Sequence, residues 1–314
     1  MGTKNYWTLR DRPHTKLKLD IYRKYLDSWC SIFLKQKFYE KIFIVDCFAG
    51  KGDYEDEGGL VDGSPLIAVK AAKKFQENFL KMQNKNKNDF KIDCVFIENK
   101  PAYVKSLEEL LVPYKDIVNY KLVEGDFNEV IENILKEIGY CPVLFFIDPY
   151  GIKTLKRKSV EMVVAKNGAK DILLNYIQEG VERIEGLAKK CLSKRVEEIS
   201  IKEIKTIKNL SDFMGGLDCI GKEEKDILKM YVEEVLKGNN KNVDDKNKLD
   251  VIAFDMPYPN KSDTIYYLLF ASRNKNAVKI VSQVYAKSKQ TEFNGQKNLF
   301  DAKTLQKINN NFKV

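Results

Sequence analysis

Short apolar runs that end next to acidic residues constrain the fold of this chain most strongly. The first run, Ile42 to Asp46, is apolar until its last residue, and Ile92 to Ile97 leads into Glu98. The most apolar run, Val143 to Ile147, leads into Asp148. Continuous apolar runs of this length are typical of parallel strands that are buried on both faces. Because helix-like segments separate the runs, the pattern predicts an α/β protein with a central parallel sheet.

Size and composition exclude several classes of protein. With 314 residues, 44% of them apolar, the chain can form one large α/β domain or two small ones. No apolar run is long enough to span a bilayer, and Met1 to Arg10 lacks a signal-type apolar region, so we expect a cytoplasmic protein without a membrane partner. The six cysteines are scattered without a Cys-x-x-Cys pair, and there is one histidine. We therefore interpret the cysteines as buried small residues and expect no metal site.

The charge of the chain is compatible with a nucleic-acid partner but does not decide the question. The formal net charge is +9, and it comes from 47 Lys and only 7 Arg. Phosphate contacts need clustered cations, yet Arg is the usual residue for bidentate contacts to phosphate or guanine. The chain is also rich in Asn and Ile, so the lysine excess is equally explained by a broad compositional bias.

A one-faced helix is predicted from Lys16 to Leu34. Apolar residues recur there every four positions, namely Leu17, Ile21, Tyr25, Trp29 and Phe33. This spacing predicts a helix that packs on the sheet. His14 precedes it in a polar segment, and we interpret this histidine as an exposed residue rather than a catalyst.

A glycine turn follows the first predicted strand. It consists of Asp46, Cys47, Phe48, Ala49, Gly50, Lys51 and Gly52. A strand that breaks into such a turn presents backbone N–H groups to a nucleotide-like ligand. The acidic loop from Asp53 to Gly63 is either a solvated turn or a flap over that ligand. Ser64 and Pro65 then predict the start of a helix.

Two further predicted strand ends supply walls for the same pocket. Glu98 and Asn99 follow the second strand, where an acidic residue commonly accepts hydrogen bonds from ribose hydroxyls. Glu98 lies 46 residues beyond Gly52, further than the usual spacing of about 20. The third strand, Asn119 to Val123, leads to Asp126 and Phe127, which could hold an adenine. Asp126 could equally cap the helix that follows it.

The best candidate for the chemical step follows the fourth strand. Asp148, Pro149, Tyr150 and Gly151 stand there, and a buried strand has no need of a carboxylate at its end. Proline fixes the turn and frees the neighbouring carbonyl to face a cleft. The alternative is a plain turn. A fifth strand, Asp171 to Leu174, leads into Asn175 and Tyr176.

The C-terminal half combines helices with a strand hairpin. The region 180–248 is helical and basic, with cations at Lys189, Lys190, Lys194, Arg195, Lys202, Lys205 and Lys208. Two strands follow, Leu249 to Phe254 and Thr264 to Phe270, and then a helix from Ala277 to Ala286. We therefore divide the chain into a lead-in (1–40), an α/β domain (41–179 and 249–290), a helical insertion (180–248) and a polar tail (291–314).

From Lys41 to Ala286 the pattern resembles the class I S-adenosylmethionine-dependent methyltransferase fold. The resemblance implies a Rossmann-like sheet of seven strands, with an N-terminal helix and a helical insertion between strands 5 and 6. It also implies S-adenosylmethionine as the cofactor, with Asp46 and the turn from Phe48 to Gly52 at its methionine end. Glu98, with Asn99 beside it, would bind the ribose. Asp126 and Phe127 would bind the adenine.

Nearly the full chain is also similar to the three-Cys-motif partner family. The similarity rests on three segments, which are Phe48 to Gly50 with Gly63 to Ala68, Phe146 to Gly151, and Tyr266 to Ser272. The name of that family refers to cysteines in a neighbouring protein. The resemblance therefore implies a partner protein encoded next to this one.

The tetrapeptide from Asp148 to Gly151 resembles the Asp/Asn-Pro-Pro-aromatic signature of methyltransferases that act on exocyclic amino groups of bases. It departs from that signature at its third and fourth positions. It is more similar to the Asp-Pro-Phe-Gly of tRNA guanine N2 methyltransferases. This resemblance implies catalytic roles for Asp148, Pro149 and Tyr150, and RNA guanine or DNA/RNA adenine as the target.

Two other readings remain open. The chain could be a non-catalytic module that binds a partner in a mobile-element or defence system. A nicotinamide-dependent dehydrogenase is disfavoured, because the turn lacks the third glycine of Gly-x-Gly-x-x-Gly. In addition, Gln296 to Phe300 resembles peptides that bind sliding clamps.

Overall fold

The structure is a computed structural model, and it describes Leu9 and residues 12–35, 39–82, 90–237, 248–257 and 264–292. Within these ranges the strands are β1 (Lys41–Asp46), β2 (Asp53–Asp56), β3 (Gly59–Asp62), β4 (Lys91–Glu98), β5 (Tyr120–Glu124), β6 (Val143–Ile147), β7 (Lys170–Tyr176), β8 (Asp250–Pro257) and β9 (Thr264–Ser272). The helices are α1 (Pro13–Lys35), α2 (Ser64–Met82), α3 (Pro101–Leu111), α4 (Phe127–Ile138), α5 (Arg157–Ala165), α6 (Gln178–Leu192), α7 (Ile201–Met214), α8 (Glu224–Tyr231) and α9 (Lys275–Glu292).

Seven strands form one twisted sheet in the order β5-β4-β1-β6-β7-β9-β8. Strand β9 runs antiparallel to both of its neighbours, and the other pairings are parallel. This confirms the predicted class I methyltransferase sheet, with the last two strands as a hairpin and a helical insertion between its fifth and sixth strands. The strand order reverses between β1 and β6, which is where open α/β sheets form their ligand crevice.

Helices cover both faces of the sheet. Strand β6 is fully buried, and its side chains alternate between two cores, with Phe145 in one and Phe146 in the other. Helices α1, α2 and α9 pack on the face that carries Phe146. Helices α4 and α5 and the insertion pack on the face that carries Phe145. Tyr22 of α1 stacks on Phe146 with ring centroids 4.3 Å apart. The predicted packing of the amino-terminal helix on the sheet is therefore confirmed.

The helical insertion is anchored by an aromatic cluster and by one arginine. Tyr176 at the end of β7 contacts Phe213 of α7 and Tyr231 of α8, with ring centroids 5.6 and 5.1 Å away. Arg157 donates through Nη1 to the carbonyl of Met214 and to Glu234, both at 2.9 Å. These contacts tie the insertion to the edge of the sheet at which β7 ends.

Several smaller predictions can be compared with the structure. The six cysteines are free, five of them buried and Cys141 half-buried, as interpreted from the sequence. The acidic loop forms an antiparallel hairpin of β2 and β3, and neither strand was predicted. Among the described residues, no helix combines the length and the apolar character needed to cross a bilayer. The segment from Gln296 to Phe300 lies outside the described residues.

Candidate functional site

Three of the predicted carboxylates meet at the carboxyl edge of the sheet, next to the reversal of strand order. Asp46 ends β1, Glu98 ends β4, and Asp148 follows β6. Asp46 is fully buried, and burial raises its pKa to about 7, with smaller contributions in the same direction from Asp148 and Glu98. The three groups are therefore close enough to interact electrostatically. The edge carries an excess of negative charge when all three are ionised.

Among the described residues, no donor is in hydrogen-bond geometry with the buried Oδ2 of Asp46. The N–H of Phe48 donates to its Oδ1 at 3.2 Å. The hydroxyl of Ser64 and the N–H of Phe48 act against burial and lower the pKa. An unpaired buried acceptor costs about 1–3 kcal/mol. Asp46 is therefore suited to a ligand that brings a hydrogen-bond donor or a positive charge.

The glycine turn is tied to the tip of β4 through Glu98. The N–H of Gly50 donates to Oε2 of Glu98, and the N–H of Lys100 donates to Oε1, both at 2.8 Å. Gly50 and Gly52 have φ angles of 66° and 98°, in the left-handed region that favours glycine. Glu98 is buried, whereas the predicted ribose neighbour Asn99 is exposed. Oε2 of Glu98 thus holds the glycine turn, while Oε1 holds the segment that leads into α3.

Asp126 caps helix α4, as one of its two sequence readings predicts. Its Oδ1 accepts hydrogen bonds from the backbone N–H and the side-chain amide of Asn128, at 2.7 and 2.8 Å. Asn128 also donates to the carbonyl of Thr154 at 2.9 Å, which links this cap to the segment after β6. The cap does not exclude a contact with adenine, which stays a prediction.

Phe127, which is predicted to contact adenine, is buried behind Phe48. Phe127 is only 2% exposed and belongs to the core, where its ring centroid lies 5.3 Å from that of Phe48. Phe48 is half-buried, so it is the more accessible ring of the pair. A base at this position would meet Phe48 first, with Phe127 behind it. Ala49 of the same turn is buried and donates its N–H to the carbonyl of Ile97 at 2.9 Å.

Asp148 is held by two side chains that the sequence analysis did not assign to the site. The ammonium of Lys18 on α1 forms an ion pair with Oδ2, and the amide of Asn175 donates to Oδ1 at 2.7 Å. Lys18 is buried and lies 5.4 Å from the centroid of the Tyr266 ring. Lys18 lies on the same helix face as Tyr22 and Tyr25. A lysine among the apolar residues of a packed helix face was the sequence signal that could have indicated a buried, paired lysine.

The interpretation of His14 as an exposed residue was wrong. The histidine is half-buried, and its ring meets the ring of Tyr266 edge-on at 5.7 Å. The Tyr266 hydroxyl donates to the His14 carbonyl at 2.8 Å. Burial, followed by the charges of Lys18 and Arg12, lowers the pKa of His14 to about 4. The ring is therefore neutral at pH 7 and belongs to the apolar wall beside Asp148.

The β2–β3 hairpin has an exposed tip, whereas its base contacts the rest of the chain near the site. Burial, followed by the charges of Asp148 and Asp46, raises the pKa of Tyr54 on β2, so this side chain lies within electrostatic range of both carboxylates. The N–H of Leu9 donates to the carbonyl of Glu55 at 2.7 Å, and Lys16 pairs with Asp56 at 2.6 Å. This placement favours the flap alternative over a solvated turn.

Pro149 and Tyr150 form an abrupt boundary between core and surface. Pro149 is buried, while Tyr150 is 47% exposed. The ammonium of Lys100 lies 5.0 Å from the centroid of the Tyr150 ring and 4.5 Å from that of Tyr103. The site thus presents an accessible aromatic face beside a cation at its rim, an arrangement that suits a planar ring carrying phosphate.

A separate cleft of about 560 Å³ opens at the opposite, amino edge of the sheet. Its lining includes Trp29 and Phe33 of α1 and Arg273 after β9. Asp171 also lines it and accepts a hydrogen bond from the Tyr25 hydroxyl at 2.6 Å. The carboxylates that could carry chemistry lie at the other edge, where strand order reverses. We therefore place the functional site at the carboxyl edge.

The insertion has both paired charges and exposed aliphatic side chains. Four of its lysines form ion pairs within the insertion, namely Lys189 with Glu185, Lys194 with Glu203, Lys208 with Asp212 and Lys237 with Glu233. More than half of each side chain is exposed in an aliphatic patch of Leu192, Val196, Ile201 and Ile204. The four lie within 13 residues of sequence, from the end of α6 to the first turn of α7, and exposed apolar residues that cluster are candidates for an interaction surface.

Comparisons with known proteins find similarity only at the level of solved structures. No family model matches the chain, and no curated protein matches it. A DszA carbon methyltransferase is 12% identical with a TM-score of 0.36 over 78% of this chain and 54% of its own, so the chain spans about half of that protein. Protein LPL1258 of Legionella pneumophila is 12% identical, with a TM-score of 0.47 over 92% of this chain and 94% of its own. M. jannaschii TYW2, solved with AdoMet, is 13% identical, with a TM-score of 0.37 and coverages of 86% and 77%.

Proposed function

We propose that this chain is an S-adenosylmethionine-dependent methyltransferase that acts on an exocyclic amino group of a nucleic-acid base. The proposal is carried by one observation, the meeting of Asp46, Glu98 and Asp148 at the reversal of strand order. In open α/β sheets this is the position of the ligand crevice. A surplus of carboxylates there favours a ligand with positive charge.

The residues at this edge fit the cofactor. The buried Oδ2 of Asp46 can accept a hydrogen bond from its ammonium group, and the turn from Phe48 to Gly52 would lie against the same end. Glu98 and Asn99 would contact the ribose, and Asp126 with Phe127 behind Phe48 would contact the adenine. When bound, S-adenosylmethionine supplies an electrophilic methyl group. The protein's contribution is to hold the acceptor amino group in line with it, and positioning of this kind can supply most of the catalysis.

The acceptor side of the crevice is formed by Asp148, Pro149 and Tyr150. The exposed Tyr150 ring offers a stacking face for a base, and Lys100 beside it offers a contact to phosphate. A base must leave its stack to reach Asp148, as in other enzymes that modify bases. The Asp-Pro-Tyr-Gly sequence favours RNA guanine, with adenine of DNA or RNA as the other target.

The insertion would contact the nucleic-acid backbone. Four further cations of the insertion are exposed and form no ion pair with another described residue, namely Lys190, Arg195, Lys202 and Lys205. Changing Lys190, Lys202 and Lys205 to Ala should weaken nucleic-acid binding uniformly across sequences. The dependence of the logarithm of affinity on the logarithm of salt concentration should become shallower by about 2–3 units.

The activity is tested with labelled S-adenosylmethionine and separate pools of tRNA, rRNA and DNA. The wild type should label one pool. Asp148→Ala should abolish labelling while cofactor affinity is largely kept, and the exposed Asp116→Ala should behave as the wild type. Full activity in Asp148→Ala would refute the assignment of this residue.

The aliphatic patch favours a second candidate, a non-catalytic module that binds a partner protein in a mobile-element or defence system. Membership of the three-Cys-motif partner family would make that partner the product of a neighbouring gene. This reading expects no methyl incorporation into any pool. It also expects co-purification with the neighbour's product that Ile201→Glu and Ile204→Glu abolish. The contact with a sliding clamp through Gln296 to Phe300 remains a separate proposal.

A further inference from the structure

Both carboxylate oxygens of Asp148 are already occupied by protein donors. Lys18 binds Oδ2, and the side-chain amide of Asn175 donates to Oδ1 at 2.7 Å. A carboxylate has further lone pairs, but these two contacts use one direction at each oxygen. A substrate N–H can therefore be accepted by a group next to Asp148 as well as by Asp148 itself.

The contact with Asp148 fixes the orientation of the Asn175 amide. An ionised carboxylate only accepts hydrogen bonds, so the amide group that faces it must be the NH₂. The ammonium of Lys18 forms an ion pair with the other oxygen, so each oxygen of Asp148 faces a donor. The amide oxygen of Asn175 is consequently turned away from Asp148, and rotation by 180° would set two acceptors against each other.

The amide oxygen of Asn175 is a buried acceptor. Asn175 is 7% exposed, and no described residue donates a hydrogen bond to its Oδ1. Leaving such an atom unpaired costs about 1–3 kcal/mol. An apolar side chain in place of Asn175 would avoid this loss of stability. The fold alone therefore does not explain why Asn175 stands beside Asp148 and Lys18.

We propose that Asn175 is a specificity-determining residue whose Oδ1, oriented by Asp148 and Lys18, accepts a hydrogen bond from the exocyclic amino group of the target base. This inference rests on the proposed function and adds a residue to it. Asp148 then acts both as an acceptor in its own right and as the positioning residue for Asn175. Because Oδ1 is enclosed in this structure, the base reaches it by displacing a neighbouring side chain.

The experiment compares oligonucleotides that differ by one amino group at a single unpaired base. The three pairs are guanine against hypoxanthine, adenine against purine, and cytosine against pyrimidin-2-one. Affinities are measured by fluorescence anisotropy with S-adenosylhomocysteine present, for the wild type, Asn175→Ala and the exposed control Asn133→Ala. Circular dichroism and thermal melting establish that each variant is folded.

The wild type should prefer the amino-bearing member of one pair by about tenfold, because a buried acceptor left unpaired is costly. Asn175→Ala should bind both members of that pair equally, and Asn133→Ala should keep the wild-type preference. Equal affinities for every pair in the wild type would overturn the inference without any variant. A preference that survives in folded Asn175→Ala would overturn it as well.

Methyl transfer measured on the same oligonucleotides separates this inference from the function on which it rests. Transfer by the wild type without any amino-group preference in binding overturns the role of Asn175 and leaves the methyltransferase intact. A preference that depends on Asn175, with no transfer to any oligonucleotide or pool, supports the contact and contradicts the proposed function.

Discussion

Replacing Asp46 by Asn should make the unliganded protein more stable at alkaline pH than the wild type. The pKa of the Asp46 carboxyl is raised from 3.8 to about 7, chiefly by burial. Between these values the folded protein binds the proton and the unfolded chain does not. The free energy of unfolding therefore falls as pH rises through this window.

The magnitude follows from the two pKa values. Between about pH 5 and about pH 8, this one carboxyl should lower the free energy of unfolding by about 2.5 kcal/mol. Asn has no such titration, so Asp46→Asn should gain that amount relative to the wild type over the same range. His14 contributes with the opposite sign, because its pKa is lowered from 6.5 to about 4 and stability is lost as pH falls through that window. His14 is present in both proteins, so its contribution cancels in the difference in unfolding free energy between the wild type and Asp46→Asn.

The assay is urea unfolding followed by circular dichroism at several pH values, for the wild type and Asp46→Asn. The m-values should agree, so that the difference in free energy reflects stability alone. Curves that run parallel from pH 5 to pH 8 would show that Asp46 is not a strained buried carboxyl. The same variant should bind S-adenosylmethionine more weakly, because the Asp46 carboxylate that destabilises the unliganded protein is the group that would contact the cofactor.

Two further predictions concern the supports of the site. Lys18→Met should destabilise the protein by about 3 kcal/mol, because it leaves a largely buried carboxylate uncompensated, and adding Asp148→Asn should recover most of that loss in a double-mutant cycle. An additive cycle would contradict the ion pair. Gly52→Ala should cost about 1–3 kcal/mol, since its φ is +98° and a Cβ would lie 2.8 Å from Cδ1 of Leu107. In Gly58→Ala a Cβ meets nothing within 4 Å, so that control should unfold near the wild-type midpoint.

The sheet could be predicted from sequence because its strands are buried on both faces. Val143 to Ile147 is apolar throughout and was located without error at both ends. Helix α2 begins at Ser64, where the cap and the proline indicated it. The β2–β3 hairpin was missed because its strands are short and acidic, and no apolar alternation marks them. Contacts with Leu9 and Lys16 stabilise it, and these are invisible to local patterns.

The site was predictable only where strand ends carry it. Asp46, Glu98 and Asp148 follow apolar runs, so their meeting follows from parallel strand order alone. Lys18 and Asn175 reach Asp148 from elements 130 and 27 residues away in sequence. The local sequence does not indicate that α1 packs across the sheet at this edge, so the contact of Lys18 with Asp148 could not be predicted. His14 was misassigned for the same reason, since its burial depends on Tyr266, 252 residues further along the chain.

Calorimetric titration of the protein with S-adenosylhomocysteine, the demethylated form of the cofactor, tests the central claim most directly. One molecule should bind per chain, and Asp46→Asn should weaken the affinity by about tenfold or more, because the variant loses the buried anionic acceptor. The exposed control Asp116→Ala should bind as the wild type. Absence of binding heat for the folded wild type across pH 6 to 8 and at more than one temperature would contradict the assignment of this crevice.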